Sequence, residues 1–245
     1  MATYTPSTPI DQLGQGGRPP APPSGGGGDG GGNGWSPNYG ARLRRARLGL
    51  ICAIATVCMV FISLTSAYIV RQGLPTYDDA SKTYLRDWGE VQLPWLLLGI
   101  NTALLLLSSL TIEGARRNVK LQAALSPVKS IPGVSLGEEK PFPWLGVTVI
   151  LGLGFLAGQW MAWGELHNRG FYVATNPSSS FVFLLTAAHG VHLLGGIIAL
   201  LWAAVTSLLR KPIEARRIVI DVAAWYWHFM ALLWIYVFAL LGFAR

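Results

Sequence analysis

From Ile218 to Phe243 the chain runs for about 26 residues, roughly 39 Å of helix, enough to cross a bilayer with some tilt. No Asp, Glu, Lys or Arg lies between Asp221 and Arg245. One ionisable group, His228, interrupts this stretch, within Trp225-Tyr226-Trp227-His228-Phe229 and ahead of Trp234. It sits roughly 15 Å in from Ile218, near the middle of the hydrocarbon. At that depth an ionisable side chain is costly against lipid tails, so it faces protein, a headgroup or a cofactor.

Four more apolar runs precede this one. The spacing predicts transmembrane helices over about 48–70, 93–112, 142–163, 180–209 and 218–243, which makes the fold all-α, a polytopic membrane bundle of five helices. Only 13% of the residues are charged against 51% hydrophobic, and there are ten Trp. A soluble core of this size could not hide so much apolar surface. Pro75, Pro94, Pro141, Pro143 and Pro177 fall in loops or first turns, where a missing N–H costs little. Pro212 marks the short connection that makes the last two spans antiparallel neighbours. Residues 1–41 are rich in Pro and Gly and have little apolar surface to bury, which predicts a disordered tail with no secretory signal, ahead of a transmembrane domain over 42–245.

The net charge of +7 does not point to nucleic acid, because the charges sit at the ends of the apolar runs. Five Lys/Arg lie in the tail (Arg18, Arg42, Arg44, Arg45, Arg47), five between spans two and three (Arg116, Arg117, Lys120, Lys129, Lys140) and four between spans four and five (Arg210, Lys211, Arg216, Arg217). The opposite side has five (Arg71, Lys82, Arg86, Arg169, Arg245). The positive-inside rule then places the N-terminus in the cytoplasm and the C-terminus outside. Cys52 and Cys58 share the first span six residues apart, a spacing that no disulfide within one helix can bridge.

Few polar groups lie inside the spans: Asn101, Gln159, His189, His192, His228 and some hydroxyls. With these boundaries Glu113, Glu165, Glu214 and Asp221 fall at span ends or in loops, so no carboxylate lies at depth. That argues against a small ion-coupled transporter, which needs a titratable relay there. His192 and His228 fall at comparable depth on neighbouring spans. Three roles are open to the histidines: hydrogen-bonding or headgroup contacts, paired axial ligands of a haem b, or a Cu or Zn site, the last disfavoured because no carboxylate or thiolate joins them.

Phe183-x-x-Thr186-x-x-His189-Gly190-x-His192-x-x-x-Gly196 resembles a signature of subunit III of haem–copper oxidases. Trp227-His228-Phe229-x-x-x-x-Trp234 resembles that family's Trp-His-Phe-x-Asp-x-x-Trp motif in the last helix. Leu93-Pro94 with Asn101-Thr102 and Leu107-Ser108-Ser109, the stretch Leu153 to Gln159, and Ser66-Ala67-Tyr68 resemble three further segments, all in the family's order from about residue 48 onward. The resemblance is to the short, five-span bacterial form. It implies a non-redox subunit of a cytochrome c or quinol oxidase in a bacterial inner membrane, a complex that reduces O₂ to water and pumps protons. It further implies that this chain binds no haem or metal, that haems and copper reside in partner subunits I and II, and that it holds structural phospholipid.

Three positions depart from the family pattern: Ala231 stands for the motif's Asp, Val57 for an intramembrane Glu, and Ala162 for the carboxylate after the third-span Gln. Their loss favours assembly, lipid retention and stabilisation of subunit I over direct proton handling. His189, His192, Trp227, His228 and Trp234 are the candidate lipid or bundle contacts. Arg210, Lys211, Arg216 and Arg217 are candidates for anionic headgroups at the cytoplasmic surface, and the Gly-rich tail for another respiratory complex. The alternatives are an accessory subunit of a nitric oxide reductase, or a haem b anchor using His192 and His228.

Overall fold

A computed structural model describes residues 38–79, 82–85, 88–89, 91–129, 143–173, 176–209 and 212–243. The predicted tail lies outside these apart from residues 38–41, and so do Arg210 and Lys211. Five helices make up the fold: α1 (Tyr39–Gly73), α2 (Trp95–Lys129), α3 (Trp144–Asn168), α4 (Pro177–Leu208) and α5 (Ile213–Phe243). All five are long and apolar enough to cross a membrane.

Each predicted span falls on one helix. Prolines set several starts: α2 follows Pro94, α3 follows Pro143, and Pro177 is the first residue of α4, three residues ahead of the expected start. The largest difference is at the end of α2, which runs past Ile112 to Lys129. Arg116, Arg117, Lys120 and Gln122 are good helix formers. The extension is also held by packing, because Val119 joins Ala203 of α4 and Ile220 of α5 in a small second core. Glu113 therefore sits inside a continuous helix rather than at its end.

Two short strands were not predicted. Thr76–Asp78 (β1) and Thr83–Leu85 (β2) pair antiparallel between α1 and α2, with Tyr77 opposite Tyr84. Those two rings meet edge to face at 5.2 Å, a cross-strand aromatic pair. β-branched and aromatic residues in Thr-Tyr-Asp and Thr-Tyr-Leu carry the signal, which was too short to stand out beside the apolar runs.

Helices α2, α3, α4 and α5 close a ring in which each packs on the next and α5 returns to α2; α1 lies outside it, against α4 and α5. The core between them holds Phe155, Leu185, Leu193, Trp227, Met230 and Trp234. Two glycines make room for Trp227: a Cβ on Gly152 would come within 2.7 Å of its Cη2, and one on Gly196 within 3.3 Å of its Cε3. In α3, Gly158 lets the Asn101 amide of α2 lie against its backbone, where a Cβ would overlap Asn101 Oδ1. Close helix approach through small residues is what substitutes for a hydrophobic driving force in lipid.

Gly158→Ala is expected to destabilise the bundle by ~1–3 kcal/mol, the cost of overpacking. The pair Gly158→Ala with Asn101→Ala should recover much of that loss. Thermal denaturation in detergent of the two single variants and the double variant measures the coupling.

Candidate functional site

The polar groups of the bundle gather along the seam between α2 and α5. These helices run antiparallel, so residues descending α2 meet residues ascending α5. Trp95 packs edge to face on Phe238 at 5.6 Å. Thr102 Oγ1 accepts from Trp234 Nε1 at 2.9 Å and donates to Leu98 O at 2.8 Å. Nearly two turns further, Ser108 Oγ accepts from Trp227 Nε1 at 2.9 Å and donates to Leu105 O at 2.7 Å. The same arrangement joins α3 to α4: Trp163 Nε1 donates to Thr186 Oγ1, which donates to Val182 O. An indole has one donor and no acceptor, and a hydroxyl can both accept and donate, so each such relay closes without a leftover group.

Below Trp227 the seam becomes ionic. Ser109 Oγ lies 2.5 Å from His228 Nδ1, and His228 Nε2 lies 3.7 Å from Glu113 Oε2. Arg116 reaches Glu113 at 3.4 Å and Asp221 at 2.6 Å, and its guanidinium lies 5.6 Å from the centre of the Trp225 ring. Asp221 is buried on α5 and takes a second guanidinium, Arg47 of α1, at 3.1 Å. Thus one buried carboxylate ties α1, α2 and α5 together. Paired in this way, the charges offset much of the desolvation that an isolated Asp at this position would suffer.

The other predicted residues are placed as follows. His189 is fully buried between the rings of Phe155 (5.8 Å) and Trp234 (5.2 Å), and neither of its nitrogens has a hydrogen-bond partner among the described residues. Asn101 Nδ2 and Gln159 Oε1 are likewise buried and unpartnered among them. His192 Nδ1 donates to Ala188 O at 2.7 Å, one turn back on α4, and its ring packs on Phe61 of α1 at 5.9 Å. Tyr226 OH donates to His192 O at 3.0 Å. Because Tyr226 reaches α4, His228, two residues on, points to the other side of α5, toward α2. The comparable depth of His192 and His228 is therefore not a pairing, since their rings face different helices. Arg216 donates to Ser207 Oγ at 2.8 Å, and Arg217 lies over the Tyr39 ring at 5.9 Å. At the far end from Asp221, a cavity of about 330 Å³ opens between Tyr68, Trp88, Trp95, Ser178, Val182 and Leu241. Among the described residues no group of three or more His, Cys, Asp or Glu could hold a metal ion.

A sequence model of cytochrome c oxidase subunit III matches residues 41–243. The chain belongs to the cytochrome c oxidase subunit III family. Among curated relatives, the probable cytochrome c oxidase subunit 3 of Nocardia farcinica is 30% identical over 102 residues, 42% of this chain and 50% of that protein. The corresponding protein of Mycobacterium tuberculosis is 31% identical over the same shares. Cytochrome c oxidase subunit 3 of a Synechocystis species is 28% identical over 199 residues, 78% of this chain and 72% of its own. The chain spans about half the length of the first two relatives. With five membrane-crossing helices and this family, it is a multi-pass membrane protein.

The ionic part of the seam was not anticipated as a unit. Its signal was in the spacing: Ser109, Glu113 and Arg116 follow i, i+4, i+7 on α2, while Asp221, Trp225 and His228 repeat the i, i+4, i+7 step on the facing helix. Two such stripes predict a seam once the helices are known to be neighbours, and neighbour identity is what the spacing alone lacks.

Asp221→Leu is expected to cost ~3 kcal/mol, because part-buried Arg116 loses its main counter-charge while half-exposed Arg47 stays solvated. Asp221→Leu combined with Arg116→Leu should be less damaging than Asp221→Leu alone, as read by thermal denaturation of the membrane-extracted protein.

Proposed function

We propose that this chain acts as a non-redox subunit III of a respiratory terminal oxidase, a complex that reduces O₂ to water and pumps protons. In this role it stabilises subunit I, contacts subunit II and holds phospholipid, while haems and copper stay in the partner subunits. The observation that carries the proposal is how the interior polar groups are used. The indoles of Trp163, Trp227 and Trp234 and the guanidinium of Arg116 bond to neighbouring helices of the same chain. Such a bundle spends its buried chemistry on holding its own shape, as a scaffold does.

The clustering of Arg47, Arg116 and Arg117 with Asp221 and Glu113 at one end of α1, α2 and α5 supports a cytoplasmic N-terminus in a bacterial inner membrane. Arg216 and Arg217 lie near the same end and remain candidates for anionic headgroups, together with Arg210 and Lys211. The cavity of about 330 Å³ at the opposite end, framed in part by Trp88, Trp95 and Leu241, supports lipid retention in the other leaflet.

The test is purification of the tagged chain from native membranes in mild detergent, with reduced-minus-oxidised spectra and identification of co-purifying polypeptides. Oxidase haem bands and a subunit I-sized partner are expected, and both should vanish when the chain is expressed alone. A b-type band that survives in the isolated chain would make the histidines ligands and overturn the scaffold role.

A further inference from the structure

One level of the bundle departs from the pattern of the others. Trp234 of α5 lies against Phe155 of α3 at 4.9 Å and His189 of α4 at 5.2 Å, and its Nε1 bonds to Thr102 of α2. Asn101, next to Thr102, lays its amide on Gly158. Gln159 follows Gly158, one turn after Phe155 and on the same face of α3. Asn101, Gln159 and His189 thus come to this level from α2, α3 and α4, and they are 1%, 5% and 0% exposed. Five buried side-chain atoms have no hydrogen-bond partner among the described residues, and four of them are here: Asn101 Nδ2, Gln159 Oε1 and both nitrogens of His189. Such a cluster has a common cause, because isolated unpaired groups would be scattered.

The chemistry of these atoms says what they hold. Asn101 Nδ2 donates and Gln159 Oε1 accepts, while a neutral imidazole adds one N–H and one bare nitrogen. Two donors and two acceptors match neither a cation nor an anion. Turning either amide over exchanges a donor for an acceptor, and the set stays mixed. It calls for a molecule that both donates and accepts. Space limits its size: a Cβ on Gly158 would already overlap the Asn101 amide, and fully buried Leu185, Leu193 and Met230 flank His189 and Trp234 along their helices. Water meets both conditions, and a buried water makes about three hydrogen bonds to groups otherwise unpaired.

We propose that Asn101, Gln159 and His189 form a buried water site in the half of the bundle away from Asp221. The two nitrogens of an imidazole point away from each other, so one water cannot serve both and the site holds at least two. One water meets each nitrogen of His189, and the amides of Asn101 and Gln159 supply further bonds. Waters shared in this way join α2, α3 and α4 where no tryptophan–hydroxyl relay reaches these three side chains.

Radiolytic footprinting of the full chain, extracted from native membranes in mild detergent, tests this. An X-ray pulse splits water where it sits, and the hydroxyl radical formed oxidises the side chain beside it. Trp227 is the internal control: like Trp234 it is a fully buried tryptophan of α5 whose Nε1 bonds to a hydroxyl of α2, but its ring packs on Gly152 and Gly196. Mass spectrometry of the digested chain is expected to show oxidation of Trp234 severalfold above Trp227, and of Phe155 severalfold above the equally buried Phe61. Equal oxidation within each pair would mean a dry layer and would overturn the proposal. His189→Leu removes two of the four polar atoms and should bring Trp234 and Phe155 down toward their controls. Undiminished oxidation of Trp234 in that variant, with Trp227 still protected, would place the water elsewhere and overturn the site. A misfolded variant would oxidise Trp227 as well, and the comparison within the unmodified chain then decides alone. None of these readings depends on the oxidase role.

Discussion

Lipid offers no hydrogen bonds, and that constraint organises this bundle more than any single packing contact. A helix satisfies its own backbone, but a polar side chain can bond only on the side that faces protein. The recurring answer here is a relay of three groups: a tryptophan N–H on one helix, a Ser or Thr hydroxyl on the next, and a backbone carbonyl three or four residues back on that second helix. The carbonyl is already in the helix ladder and has a second lone pair to give. Nothing new has to be desolvated, and each relay fixes the register of two helices. Trp227–Ser108 and Trp234–Thr102 do so twice along one seam, and α2 and α5 are thereby locked against sliding.

Deep burial of large rings then demands small neighbours. Trp227 reaches its hydroxyl only because Gly152 and Gly196 leave room for its ring, and Asn101 fits only because residue 158 is glycine. The glycines of α3 and α4 and the tryptophans of α5 are thus one feature seen from two sides. A side chain at Gly152 or Gly196 would push the Trp227 indole away from its acceptor, so packing and hydrogen bonding cannot be separated at this seam.

The helices were legible in the sequence because apolar length is set by bilayer thickness and needs no knowledge of partners. Their ends were legible where proline or a charge run marked them, and not at α2, where the polar continuation past Ile112 stays helical by packing against α4 and α5. The residues of the candidate site were largely visible, but their pairing was not. His192 and His228 sit at comparable depth, yet 200° of rotation between Tyr226 and His228 sends one contact to α4 and the other to α2. Depth is a one-dimensional property that counting recovers; azimuth depends on which helices are neighbours. The carboxylates show the same limit, because Asp221 looked like a terminal charge and is instead the buried junction of three helices.

That junction bears on the three positions where the family pattern has a carboxylate and this chain does not. Val57, Ala162 and Ala231 are all buried, on α1, α3 and α5, against the common core. A carboxylate at any of them would be desolvated and would need its own partner, as Asp221 has in Arg116 and Arg47. Among the described residues the buried acid is therefore placed where α1, α2 and α5 meet at their basic ends, and the rest of the interior holds rings, hydroxyls, the Asn101 and Gln159 amides and small residues. Charge positioned so joins helices to one another, and this distribution favours the scaffold role over proton transfer through the bundle.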